Sequence, residues 1–268
     1  MHHDKANLAN LIGLWKKYGA RPIQGNTLSL LQTNTHWPHR CWFDRNTLAS
    51  DDVEQILAIQ ADAHCWLDNV PESAIFPLLP QDNTNRNGKT SLFEPQRIEQ
   101  QLLEKGWVCA FEQTAMYLEL QHLEPQKAAT DVVLTRTGLE LKPVRTAEDI
   151  TQWGDIGSEA FSYHIDRPVI EKLVYDKDIQ LLIGRHNDQA IATALLYKTG
   201  DIIGIHQVGV KPNFQGKGFA KSLMQYLIAA CVLWQGQTIV LQASQAGKPL
   251  YDSLGFKPLF LIKNYHRA

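Results

Sequence analysis

The run Val208-Gly209-Val210-Lys211-Pro212-Asn213-Phe214-Gln215-Gly216-Lys217-Gly218-Phe219-Ala220 carries residue types suited to holding an anion. Glycines at Gly216 and Gly218 let a backbone turn tightly and come close to a ligand. If a helix begins just beyond them, its first N–H groups face outward unpaired, and its dipole favours negative charge. A phosphate is the natural guest at such a place. Lys217 and Lys221 add positive charge beside it. Spacing excludes two other phosphate loops. Gly209 stands too far from Gly216-Lys217 for Gly-x-x-x-x-Gly-Lys, and no Gly-x-Gly-x-x-Gly follows a first strand. Charge patterning agrees. The chain as a whole is at net -2, yet between Asp201 and Asp252 no acidic residue occurs, while Lys211, Lys217, Lys221 and Lys248 fall inside. That window invites an anion; chance depletion along a buried strand and helix is the alternative.

These residues need a strand before them and a helix after. Residues 202–210 read as a strand. A helix over about 218–234 aligns Phe219, Leu223, Leu227, Ala230, Cys231 and Trp234 on one face, and 238–243 read as a buried strand. Strand, long helix and strand in that order imply a crossover and a locally parallel pair. Upstream, 139–144 alternate as a strand, 147–161 and 168–175 read as helices, and 180–185 and 190–197 form strands around an Asn187-Asp188 turn. The first half predicts a helix over 7–18, strands at 28–31 and 41–43, and a helix starting at Ser50-Asp51-Asp52 and running toward Asp62. A polar loop over 80–89 and a helix from Pro95 to a stop at Gly106 follow. Residues 107–111 and 115–120 predict a hairpin. The polar, small-residue stretch 122–138 marks a junction, giving an N-terminal α/β domain over 1–130 and a second domain over 138–268.

The pattern Gln/Arg-x-x-Gly-x-Gly/Ala, met by Gln215, Gly218 and Ala220 after Val210-Lys211-Pro212, resembles the signature of the GNAT superfamily of acyl-CoA-dependent N-acyltransferases. A second stretch agrees at the right distance: Leu241-Gln242-Ala243-Ser244, then Gly247, then Leu250-Tyr251-Asp252-Ser253-Leu254-Gly255-Phe256. The resemblance spans about 139–267. It implies an α/β (α+β) fold, a mixed twisted sheet flanked by helices, splayed between the strands ending at Val210 and Ala243 with coenzyme A in the gap. It further implies that Gln215, Gly216, Lys217, Gly218, Phe219 and Ala220 grip the pyrophosphate, to which the nearby charge of Lys221 adds as a cofactor contact. Val208, Gly209 and Val210 would pair with the pantetheine arm and polarise the thioester carbonyl. Tyr251 matches the family's proton donor to the departing thiolate. The activity so implied is direct transfer of an acetyl group from acetyl-CoA to a primary amine, in a ternary complex and without a metal.

A general base is less plain, because 202–210 contains no carboxylate. Alternate positions counted back from Val210 place Val208, His206 and Gly204 on one face. His206 is the candidate base, directly or through water; the alternative is that it packs or hydrogen-bonds while bulk water takes the proton. Ser244 could touch cofactor or cap the next turn. His164, in the Phe161-Ser162-Tyr163-His164 segment, is a candidate acceptor contact or an exposed loop residue.

Composition sets the outer bounds. With 44% hydrophobic residues, the chain can build real cores. No apolar run reaches the roughly 18 residues of a membrane helix, and Met1-His2-His3-Asp4-Lys5 does not open a signal peptide. The expectation is a cytoplasmic protein. Cys41, Cys65, Cys109 and Cys231 lie too far apart for a disulfide framework or zinc site, and His36 and His39 lack a third ligand. No basic stripe with interleaved aromatics points to nucleic acid. The helix end, glycine and aromatic strand start at Leu102-Leu103-Glu104-Lys105-Gly106-Trp107 echo Tyr251-Asp252-Ser253-Leu254-Gly255-Phe256. The first half thus reads as a degenerate GNAT-like unit with Leu102 in place of Tyr251, packing on the catalytic half and closing the acceptor cleft. Two other functions stay open: a non-catalytic acyl-CoA-binding regulatory module, and a scaffold whose Trp15, Trp37, Trp42, Trp66 and Trp107 bind a protein partner.

Overall fold

The computed structural model describes residues 3–23, 30–33, 37–43, 59, 64–80, 95–121 and 137–268. Apart from Ile59, the predicted helix from Ser50 lies outside them, as do the loop over 81–89, His36, the side chain of Cys65 and most of the predicted junction. In chain order the elements are α1 (His3–Lys17), β1 (Arg21–Pro22), β2 (Leu30–Gln32), β3 (Cys41–Phe43), α2 (His64–Leu67), β4 (Phe76–Leu78), α3 (Pro95–Glu104) and β5 (Trp107–Glu119). There follow β6 (Glu140–Pro143), α4 (Ala147–Phe161), α5 (Arg167–Val174), β7 (Ile179–His186), β8 (Gln189–Thr199), β9 (Ile202–Val210), α6 (Phe219–Leu233), β10 (Thr238–Ser244), α7 (Lys248–Ser253) and β11 (Lys257–Arg267). They form two compact units that draw residues from both sides of the predicted junction: Met1–Leu14 with Ala115–Leu259, and Trp15–Thr114 with Phe260–Ala268.

The first unit is a mixed sheet flanked by helices. Its strand order runs β5-β10-β9-β8-β7-β6. Strands β6 to β9 pair antiparallel in sequence, and β9 pairs parallel with β10. The β7–β8 connection is the short hairpin that Asn187-Asp188 predicts, both residues having positive φ, the backbone of a type I′ turn. Leu223, Met224, Leu227 and Cys231 of α6 pack on Ile203, Ile205, Ile239 and Leu241, so the strand–helix–strand segment supplies much of the core. Helix α4 starts on a capping box. Thr146 Oγ1 accepts from Asp149 N (3.1 Å) and the Asp149 carboxylate accepts from Thr146 N (3.0 Å).

The parallel pairing of β9 and β10 is brief. Ile202, Ile203 and Gly204 face Thr238, Ile239 and Val240, and the register stops there, although β9 continues to Val210 and β10 to Ser244. The sheet opens where the sequence predicts a splay.

In the second unit β1, β2 and β3 form an antiparallel sheet, and Leu30, Phe43, Trp66, Phe76, Ile98, Leu102 and Trp107 build a core. Trp15, Trp37, Trp42, Trp66 and Trp107 are all buried, which removes the exposed indole face a scaffold reading needs. The predicted hairpin over 107–120 is instead one strand, β5. Glu112-Gln113-Thr114 holds no Gly, Pro, Asn or Asp to reverse the chain, so the strand runs through. The echo has a structural counterpart: α3 ends at Gly106 (φ +78°) before β5, and α7 ends near Gly255 (φ +87°) before β11.

Candidate active site

The site is built from β9 outward. Val210 and Gly209 face Ala192 and Thr193 on β8, but the next pair is His206 with Leu195. Strand β8 spends one residue, Ala194, on that interval while β9 spends two, Gln207 and Val208. The extra residue is a β-bulge, and Gln207 takes φ +51° to make it. A bulge takes backbone groups out of the ladder, and side chains hold the remainder in place. Thr193 Oγ1 donates to Gln207 O (3.0 Å), Trp153 Nε1 donates to Ala194 O (3.2 Å), and Tyr163 OH donates to Gln207 Oε1 (3.2 Å). Gly209 serves packing, since a Cβ there would lie 2.9 Å from Ala160 Cβ and 3.0 Å from the Phe161 ring.

Beyond Val210 a single 3-10 turn over Pro212–Phe214 leads into the glycine loop. Gly216 (φ +72°) and Gly218 (φ +87°) both adopt the left-handed backbone, and a Cβ on Gly216 would meet nothing within 4 Å. At Gly216 the demand is therefore conformational, not steric. Gly218 caps α6 without a side-chain acceptor, and the helical ladder begins with Ser222 N donating to Gly218 O (3.1 Å). The amides of Phe219, Ala220 and Lys221 precede that bond and have no acceptor within the helix. Gln215 folds back, its Nε2 donating to Val210 O at 2.9 Å, so its side chain shapes the loop. Lys217 Nζ donates to Asn213 O (2.8 Å) and lies 5.4 Å above the Phe214 ring. Two lysines of the acid-free window are compensated from outside it: Lys211 pairs with Glu159 (3.2 Å) and Lys248 with Asp252 (2.8 Å). Lys217 and Lys221 remain as the positive charge at the loop.

On the other side of the opening, Ser244 Oγ accepts from Gly247 N (3.1 Å), the capping role for this hydroxyl. Tyr251 sits on α7, its ring edge-on to Phe256 at 5.8 Å. Burial pushes its phenol up to about 12, so it is protonated at neutral pH.

His206 is buried. Its Nε2 lies 3.0 Å from Asn10 Oδ1. Asn10 Nδ2 already donates to Tyr197 O and Thr199 Oγ1, both at 3.0 Å, so its oxygen faces the ring and the imidazole proton sits on Nε2. Burial pushes the pKa down to about 3, only partly opposed by a hydrogen bond to Gln242. Such an imidazole is neutral at pH 7 but too weak a base to keep a proton taken from an ammonium group. Asn10 could not be found from sequence, because nothing about an asparagine in an early helix says which strand it meets. His164 and Tyr163 follow the Ser162 C-cap of α4 and are exposed.

Among the described residues no cluster of three His, Cys, Asp or Glu could hold a metal, and no helix is long and apolar enough to cross a membrane. Cys41 and Cys231 are buried thiols, their pKa values raised by burial.

A sequence model of the Acetyltransferase (GNAT) family matches residues 148–256. The C-terminal part of the chain is a GNAT domain. Over 82 residues the chain is 33% identical to a [ribosomal protein bS18]-alanine N-acetyltransferase of Haemophilus ducreyi, a match that takes in 30% of this chain and 57% of that relative. Among solved structures, a GCN5-related N-acetyltransferase from Kribbella flavida superposes with a TM-score of 0.58 at 15% identity, covering 98% of this chain and 94% of that one. A second, from Sphaerobacter thermophilus, gives 0.56 at 13%, covering 85% and 71%. At those identities the likeness is one of fold. The GNAT domain of this chain contains the bulge, the glycine loop, the opening and Tyr251.

Proposed function

We propose that the GNAT domain, within a catalytic region over 138–268, transfers an acetyl group from acetyl-CoA to a primary amine by direct attack. The observation that carries this is the order of features along one strand. A bulge at Gln207 sits at the mouth of the β9–β10 opening, and β9 leads straight into a left-handed glycine loop capping α6. The unpaired first-turn amides, Lys217 and Lys221 suit a pyrophosphate. The edge from Val208 to Val210 suits an extended amide-bearing arm, and a backbone N–H freed by the bulge suits the thioester oxygen as negative charge develops there.

In the step, the amine nitrogen bonds to the thioester carbon, the carbon–sulfur bond breaks, and the thiolate departs. Tyr251 faces that sulfur with a phenol whose pKa of about 12 lies well above the roughly 8.5 of a thiol. Its contribution is a hydrogen bond that stabilises the thiolate, with proton transfer completed as solvent enters. The excess proton of the amine passes to water, since His206 is buried and weakly basic. The named function of the Haemophilus ducreyi relative makes peptide α-amines the first acceptors to try.

The test is CoA release from acetyl-CoA with a panel of amines that includes polyamines, amino acids and N-terminal peptides, with the acetylated product read by mass. Amine-dependent release supports the reading. Binding of acetyl-CoA without release under any amine assigns a binding module instead.

A further inference from the structure

Helix α1 lies across the open part of the sheet and meets it with polar groups. Asn7 and Asn10 are three residues apart and so share a face, and both are fully buried. Asn7 Nδ2 donates to Met116 O on β5 (2.9 Å) and Leu241 O on β10 (3.1 Å), while its Oδ1 accepts from Gln242 Nε2 (2.7 Å). Asn10 Nδ2 donates to Tyr197 O and Thr199 Oγ1 on β8, and its Oδ1 accepts from His206 on β9. One carboxamide thus clips β5 to β10 and the other clips β8 to β9. Gly204 permits this approach: a Cβ there would lie 1.9 Å from Asn10 Oδ1 and 2.3 Å from His206 Nε2.

The location matters. The β9–β10 ladder ends at Gly204 and Val240, and His206 and Gln242 are the next residues on that face of each strand. Where the β9–β10 backbone ladder stops, each of the two strands is held from its other side by one asparagine, β9 to β8 by Asn10 and β10 to β5 by Asn7. His206 is also the last residue in register before the extra one at Gln207. A core that needed only filling would use apolar side chains here; this one uses a set of polar groups in which the donors of Asn7 and Asn10 are all matched.

We propose that Asn10, acting through His206, is a positioning residue that fixes the Gln207 bulge, and that Asn7 with Gln242 sets the other edge of the opening. Both act from a helix far away in sequence from the strands they hold, Asn10 196 residues from His206 and Asn7 235 from Gln242. The consequence for turnover rests on the acyl-transfer reading; the consequence for local rigidity does not.

The test is hydrogen exchange on the full chain for the wild type, Asn10→Ala and His206→Leu, together with acetyl-CoA affinity and the rate of CoA release. Expected for either variant is exchange over 205–210 faster by about tenfold or more, with 179–186 on β7 unchanged. Turnover falls by about tenfold or more while the acetyl-CoA Kd moves by less than about threefold. His206→Leu keeps the ring's volume with apolar atoms and stands in should Asn10→Ala not fold. Exchange that is unchanged, or faster throughout the sheet, overturns the proposal, as does turnover that survives a loosened bulge. A wild type without turnover removes the acyl-transfer reading, and the exchange pattern then decides by itself whether Asn10 holds β9.

Discussion

Trp153 Nε1 donates to the carbonyl of Ala194, the β8 residue that the extra residue in β9 leaves without a partner in the ladder. The indole of α4 therefore completes the bulge from the opposite strand. Trp153→Phe keeps most of the packing but strands a buried carbonyl, which costs about 1–3 kcal/mol. Urea unfolding of the two proteins should show that loss, and CoA release should drop with it. Unchanged stability would mean the carbonyl finds another donor.

Tyr251→Phe removes the phenolic O–H and keeps the ring against Phe256. Turnover should fall by about tenfold to a hundredfold with acetyl-CoA affinity nearly unchanged, because the hydrogen bond is made to the departing sulfur. Single-turnover kinetics with a fixed amine would measure it. Equal rates would remove Tyr251 from the chemistry.

Asp149 gives the capping box an acid-sensitive element. Burial would lift its carboxyl, but the Lys142 ammonium at 2.8 Å and the donors of Arg145 and Thr146 reverse this and hold it well below the usual carboxylate range. The folded pKa is depressed, so its stabilisation is full above about pH 4 and is lost as pH falls through the folded value. Asp149→Ala should cost about 1–2 kcal/mol at neutral pH and flatten the acid limb of thermal stability. An unaltered limb would contradict the assignment.

His206 imposes a second pH dependence at higher pH. Its folded pKa of about 3 lies below the ordinary 6.5, so the unfolded chain binds a proton that the folded chain refuses between those values. Stability contributed by the neutral buried ring is full above about pH 6.5 and declines as the pH falls toward 3. His206→Leu should weaken the fall in melting temperature across that window. The same slope in both proteins would mean the imidazole titrates normally.

Much of this architecture is written in local patterns. The strand 202–210, the helix behind Gly218 and the Asn187-Asp188 turn follow from alternation, helical spacing and left-handed turn formers, and each lies where those patterns put it. Gly216 and Gly218 were legible for the same reason, since a left-handed backbone selects glycine whatever surrounds it. The bulge was not, because Gln207 carries no residue-type signature for a positive φ; the signal is the register between two strands. Nor was the state of His206. Alternation gives the face of a strand, but the partner on that face, Asn10, comes from the far end of the chain. Position on the strand points to a base there; burial, which position does not reveal, removes it. Residues 107–120 carry two apolar runs but no turn sequence between them, and so form one strand in place of the expected hairpin.

The loop from Gln215 to Ala220 is proposed to bind acetyl-CoA through the left-handed backbone at Gly216 and Gly218. Calorimetric titration of acetyl-CoA into the wild type and Gly216→Val tests it most directly. A Cβ at 216 would meet no protein atom within 4 Å, so the loss that backbone conformation alone imposes is roughly 1–2 kcal/mol, or about tenfold in affinity. One saturable site is expected in the wild type, weakened by that amount or more in the variant. No binding to the wild type, or equal binding by both, would contradict it.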